Sequence, residues 1–293
     1  GRGRDKRNGD VSEVTESPGR ISHRFEIRPD LGLFDLELGA VWKYRQLLFF
    51  LAWREVRVRY KQAALGVAWA VLQPVMVVII LSAVFGVFAR LPSEGLPYPV
   101  FLFAGLIPWT YFSEALRRGS VGLVGDAELV KKVYFPRLII PLAMVVAPLV
   151  DLALASGVLF VFLAWYGIWP TVNVLLLPVL VLVSMALALA VALWLGPINV
   201  RFRDVMHTLP FLLQIWMYAT PVIYPLSMVP ERWQPLYRLN PMVGVIEAFR
   251  WSLLGMGEVD VAAIGVSLAV ISVVLVGGLL FFRRMEGSFA DVI

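Results

Sequence analysis

The sequence predicts an all-α polytopic membrane protein of six transmembrane helices. Two observations carry this expectation. Gln62–Ala89 and Val261–Phe282 contain no Asp, Glu, Lys or Arg, and Asp151 is the one charged residue between Leu138 and Val200. A bilayer core needs roughly 20 apolar residues per helical crossing, and each of these windows is that long or longer. The 293 residues are also 59% hydrophobic with a mean hydropathy of +0.78, against about 45–50% apolar in ordinary globular domains.

Charge distribution supplies the orientation. Of the 26 Lys and Arg, 22 fall in the N-terminal region, in residues 114–137, at Arg201 and Arg203, and at Arg283 and Arg284. Arg90, Arg232, Arg238 and Arg250 make up the opposite set. The positive-inside rule then places both termini in the cytoplasm, with an even number of crossings. The net charge of +5 follows from this flanking pattern and needs no nucleic-acid partner.

The elements follow in order. Residues 1–38 are polar and read as a mobile cytoplasmic tail, leaving 39–293 as one membrane domain. Residues 41–61 read as an amphipathic interface helix. Phe49, Trp53, Val56 and Tyr60 share its lipid-facing side, and Arg54, Arg57 and Lys61 its headgroup side. Crossings are expected near 66–88, 98–116, 138–164, 172–195, 208–226 and 261–282, with Trp165, Tyr166 and Trp169 as an aromatic belt. The second is interrupted by Pro97, Pro99 and Pro108.

Segment 230–257 does not fit a crossing. Pro241–Gly255 reads as a helix capped by Asn240 and stopped by Gly255, but it holds Glu247 and Arg250 and is too short to span. It is expected to be re-entrant from the outer side, which backbone tolerates only when packed on protein or lining a wet cavity.

Several chemistries are excluded. There is no cysteine, no Gly-Lys dipeptide for a phosphate loop, no Asp-x-Asp pair, and only His23 and His207 among histidines. A metal site, nucleotide hydrolysis and group transfer by this chain are therefore not expected. Residues 114–137 offer one short cytoplasmic helix over 127–134, with Asp126 as its cap and Glu128, Lys131, Lys132 and Tyr134 on or beside it. It reads either as a docking helix for a soluble partner or as a solvated loop.

Five runs occur in order: "RVRYKQAALGVAWAVLQP" (57–74), "VKKVYFPRLIIPL" (130–142), "NVRFRDV" (199–205), "PVIYP" (221–225) and "LNPMVGVIEAFR" (239–250). Together they resemble the membrane permease subunit of type-2 ABC exporters, nearest the branch that exports O-antigen, teichoic acid and capsular polysaccharides. The resemblance implies a homodimer in the bacterial inner membrane with two ABC ATPase subunits beneath it. It also implies a lipid-linked polysaccharide as substrate. ATP and Mg would be used by the partner, with no cofactor on this chain. It further implies that 126–134 is a coupling helix, that 240–250 acts in an outer gate, and that the first and fifth spans line the path.

On those spans, Phe211, Gln214 and Tyr218 share one helical face with His207, and Trp69, Gln73 and Met76 are nearly aligned with Gln62. Such faces suit either a sugar conduit or helix packing through Gln hydrogen bonds. Asp151, an intramembrane carboxylate, costs roughly 2.5–3.5 kcal/mol to insert. It is either protonated or paired with another helix, and a structural hydrogen-bonding role is favoured. The rival functions are an ABC exporter of drugs or lipids, and a secondary carrier built on Asp151.

Overall fold

The computed structural model describes residues 38–61, 67–255, 260–287 and 289, within one compact unit, Leu33–Ile293. The N-terminal tail and Gln62 lie outside the described residues. Among the described residues the regular structure is helical. Four helical stretches are long and apolar enough to cross a membrane: Ala68–Phe88, Ile139–Trp165, Val172–Arg201 and Val261–Glu286. The chain is an all-α polytopic membrane protein.

The helices are α1 (Leu38–Lys43), α2 (Arg45–Lys61), α3 (Val67–Leu81, continuing as a π-helical turn to Phe88), α4 (Tyr98–Gly125) and α5 (Ala127–Lys132). They are followed by α6 (Ile139–Val146), α7 (Leu149–Trp165), α8 (Leu177–Arg201), α9 (Val205–Tyr218), α10 (Gln234–Arg238), α11 (Pro241–Leu254) and α12 (Val261–Glu286). The α6–α7 break falls at Ala147–Pro148, because Pro148 has no N–H and its ring crowds the preceding turn. Helix α8 is led in by a 3-10 turn over Val172–Leu176.

Helix α4 is the axis of the bundle. Val100, Leu102, Phe103, Phe112 and Leu116 are fully buried along it, and it packs on α6, α7, α8, α9 and α11. It runs on to Gly125, past the expected end at 116. Its prolines do not break it as the sequence implies. Pro97 and Pro99 stand at its start, where the missing N–H has no intrahelical partner to lose. Pro108 is accommodated within the helix, and the Thr110 hydroxyl donates to the Ile107 carbonyl nearby, at 2.9 Å.

The expected fifth span differs most. Helix α9 ends at Tyr218, well before residue 226, because Pro221 biases Thr220 away from helical backbone. The chain then turns through Pro221–Pro225 and enters α10 and α11. Asn240 caps α11 by accepting from the Met242 N–H at 3.1 Å, and Gly255 ends it in the left-handed region at φ 66°. Nearly every side of α11 is buried, against α4, α8, α12 and the 3-10 turn before α8.

Close approach of backbones depends on small residues, as in membrane bundles generally. A Cβ on Gly278 of α12 would stand 2.8 Å from the Ala190 carbonyl oxygen of α8, and one on Gly244 of α11 would clash with the Ser267 hydroxyl of α12. Gly278→Val should therefore push α12 off α8 at about 1–3 kcal/mol, the usual cost of overpacking. Thermal melting in detergent checks this, and an unchanged midpoint would mean that the α8–α12 contact is not tight.

Candidate functional site

Two groups of polar side chains stand at opposite ends of α4. At the end carrying α2 and α5, an ionic network ties α2 to α4, α5 and α7. Arg54 of α2 reaches both carboxylate oxygens of Asp126 at 2.7 Å and Glu55 at 3.1 Å. Glu55 approaches Arg118 of α4 at 3.6 Å, and Arg118 donates to Glu114 at 2.6 Å. Arg59 pairs with Asp151 of α7 and lies 3.8 Å from Glu114, while the Tyr60 hydroxyl donates to the other Asp151 oxygen. The hydrogen bond to Asp126 holds the Arg54 guanidinium above its ordinary pKa.

Three expectations change here. Arg54 does not face headgroups but spans from α2 to the start of α5. Asp126 precedes α5 yet makes no side-chain cap to it, because its carboxylate is taken by Arg54. Tyr60 turns inward to Asp151 and leaves the lipid-facing row, whereas Phe49 and Trp53 stay exposed with their rings stacked at 6.5 Å. Arg57 and Lys61 are exposed. Asp151 finds its cation on α2, 92 residues earlier in the chain, so its own span showed no partner.

Beyond Asp126, α5 leaves Glu128, Lys131 and Lys132 exposed, with a Glu128–Lys132 ion pair at 2.7 Å. Tyr134 follows the helix and is 80% exposed. Tyr134 and the two lysines thus form an exposed surface that no other element covers among the described residues.

At the other end, Arg250 of α11 is 6% exposed. Its guanidinium donates to the carbonyls of Pro221 at 2.8 Å and Val222 at 2.7 Å, and to Glu247 at 3.1 Å. It also lies over the Phe101 ring of α4, 3.8 Å from the centroid. The Tyr98 hydroxyl donates to the next carbonyl, Ile223, at 2.7 Å. Asn240 bonds Thr220 at 2.9 Å and accepts from the Trp216 indole at 3.1 Å. The turn after α9 is thus held to α4 and α11 by Tyr98, Asn240 and Arg250. The sequence marked Asn240, Pro241, Glu247 and Arg250; Tyr98 and Phe101 it did not, since aromatics at the start of an apolar helix carry no distinguishing signal.

The two polar–aromatic rows are not brought together within one chain. Phe211, Gln214 and Tyr218 are exposed on α9, which packs on α4 and α8. Trp69 and Gln73 are exposed on α3, which packs on α4 and α7. Gln73 borders a cavity of about 240 Å³ shared with Thr110, Glu114 and Asp151. Among the described residues no group of His, Cys, Asp and Glu is arranged to hold a metal ion.

Residues 46–254 match the family described as ABC-2 type transporter. The chain belongs to the ABC-2 type transporter family. It is a membrane transport subunit and not itself catalytic. It is 35% identical over 258 residues to an O-antigen export system permease protein of Myxococcus xanthus, covering 86% of this chain and 97% of that one. It is 27% identical over 248 residues to an O-antigen export system permease protein of Klebsiella pneumoniae, covering 84% and 95%. With a polysialic acid transport protein of Escherichia coli it shares 26% identity over 206 residues, covering 69% and 78%. The ABC-2 match begins within α2 and ends at the last residue of α11, so it includes both polar groups.

Each buried acceptor that loses its donor costs roughly 1–3 kcal/mol, and Arg250 serves two carbonyls. Arg250→Ala should therefore lower the melting point sharply in detergent. Arg250→Lys should not restore it, since an ammonium lacks the planar fork that meets both carbonyls at once. A lysine variant as stable as the parent would show that the fork is not what holds the turn.

Proposed function

We propose that the chain is the membrane subunit of an ATP-driven exporter that moves a lipid-linked polysaccharide of the O-antigen or capsule class out of the cytoplasm. The observation that carries this reading is similarity along 97% of the length of an O-antigen export permease. The subunit works as a homodimer in the bacterial inner membrane, with two ABC ATPase subunits beneath it and both termini on their side. It makes six crossings: the four long apolar stretches, α4, and α9 taken together with the turn after it, since the 14 residues of α9 alone fall short of a bilayer core. Helix α11 is re-entrant, and its burial on protein supports that reading.

The exposed α9 row supports a translocation role. A helix in a sealed core would bury Phe211 and Tyr218; here they are 64% and 52% exposed. Between two copies of the chain, this row and the Trp69–Gln73 row offer ring faces and amides that a hydrophilic polymer touches repeatedly and weakly. Export of a drug or lipid has no comparable support from the relatives. A secondary carrier on Asp151 is disfavoured because Arg59 and Tyr60 already engage that carboxylate.

Removing the gene from its host should abolish surface polysaccharide on immunoblots of whole cells, with restoration by the chain only when its ATPase partner is also present. Normal polymer at the surface of the deletion strain would overturn the reading. With export established, Tyr218→Ala together with Gln214→Leu should cut export several-fold without lowering protein level or ATPase co-purification. Unchanged export would remove these two side chains from the path.

Exposed α5 should be the ATPase contact. Single exposed ion pairs contribute only about 0–1 kcal/mol, so the informative variant changes Lys131 and Lys132 to Glu and Tyr134 to Ala together. Pull-down of the ATPase subunit should drop at least tenfold while the permease stays inserted. Equal recovery would place the docking surface elsewhere.

A further inference from the structure

At the end of the bundle opposite α5, a cavity of about 290 Å³ opens between α11, the start of α12 and the turns before α4 and α10. Its polar lining is Glu94, Ser227, Gln234, Glu247 and Asp260, with the indole of Trp251 beside them. Arg250 closes its inner wall, and the Arg250 Nε is buried without a hydrogen-bond partner among the described residues.

The charges on this lining are unequally used. Asp260 is engaged by Arg238 at 2.8 Å and by the Ala263 N–H at 3.0 Å. Glu247 has one oxygen on Arg250 at 3.1 Å. Glu94 has a 3.4 Å contact with the Ser227 hydroxyl, the longest of these. It sits in a left-handed backbone conformation, φ 54°, next to Gly95 at φ 84°, in a turn that lines the cavity. One amide N–H of Gln234 is spent on the Val229 carbonyl at 3.1 Å, which leaves its oxygen and its second N–H for a ligand.

The lining therefore joins hydrogen-bond acceptors, with two of the three carboxylates already neutralised by arginine, to an apolar surface that includes Trp251 and Phe101. A divalent cation would need several carboxylates converging on one point, and no such group exists among the described residues. A ligand that brings many hydroxyl donors, no net charge and an apolar C–H face fits this chemistry. The volume lies at the lower edge of small-molecule sites, which run roughly 300–1,000 Å³, so it takes one ring rather than a chain of them.

We propose that this cavity is a subsite for one pyranose unit of the exported glycan, held by Glu94 and Gln234 against Trp251. The proposal rests on the polysaccharide reading above and adds a place where the polymer is gripped on the outer side. It differs from the path along α9, because the ligand here enters a cavity within one chain.

The test uses the full chain in nanodiscs and an oligosaccharide released by mild acid from the host strain's own surface polymer. Saturation-transfer NMR should show transfer to the sugar ring protons. Glu94→Gly, which keeps the left-handed backbone available, combined with Gln234→Ala should lower that transfer at least fivefold at unchanged melting temperature. If the double variant melts lower, Glu94→Gly alone becomes the deciding variant and should still lower transfer at least threefold. Absence of transfer to the parent chain, or equal transfer to the variants, overturns the subsite. So does a calcium chloride titration that raises the melting point of the parent and not of Glu94→Gly, which would make this a cation site. The deletion-strain immunoblot separates the two levels: lost surface polymer with no transfer sinks the subsite alone, whereas retained surface polymer sinks the polysaccharide reading.

Discussion

A guanidinium taken out of water must find a partner for its charge, and the organisation of this chain follows from how that demand is met at the two ends of α4. At one end Arg250 meets it with backbone carbonyls, a carboxylate and an aromatic face. At the other, Arg54, Arg59 and Arg118 meet it with Asp126, Asp151, Glu55 and Glu114. Desolvation makes the Arg250 arrangement costly to break from one side only, whereas the ionic network, with Arg54 and Arg59 partly exposed, holds through the number of its linked pairs. Each therefore fixes the helices it joins rather than merely decorating them.

The consequence differs between the ends. The Arg250 arrangement ties the turn after α9 to a short helix that is buried on nearly all sides. The ionic network is partly open to solvent and distributed over four elements. A displacement of α5 would pull on Arg54 through Asp126, and through α2 would reach Arg59, Tyr60 and Asp151 on α7. That chain of contacts links α5 to α7 through α2, with α4 packed between them.

Membrane helices gain little from hydrophobic contact with one another, because lipid is as apolar as leucine, and close packing has to replace that driving force. The approach of α8 to α12 at Gly278 and of α11 to α12 at Gly244 supplies it here. Helices α3 and α9 lack this kind of burial and keep Trp69, Phe211 and Tyr218 at the surface. The bundle is packed at its centre and leaves these two edges exposed.

Much of this was legible in the residues alone. Long uncharged windows announced the crossing helices, since no other environment makes twenty apolar residues useful. The Asn240 cap and the Gly255 stop were readable because caps are local: their partners lie within a few residues. Helix ends beside proline were harder. Pro97, Pro99 and Pro108 looked like interruptions of α4, yet two of them mark its start and the third lies within the continuous helix. What only the tertiary structure decided was every pairing at long sequence separation: Arg54 with Asp126 rather than with headgroups, Arg59 and Tyr60 with Asp151, and Arg250 with the Pro221 and Val222 carbonyls. A sequence displays the cost of an isolated charge among apolar residues. It does not display which distant residue relieves that cost, because the relief depends on distance in space, and that is set only when the helices have packed.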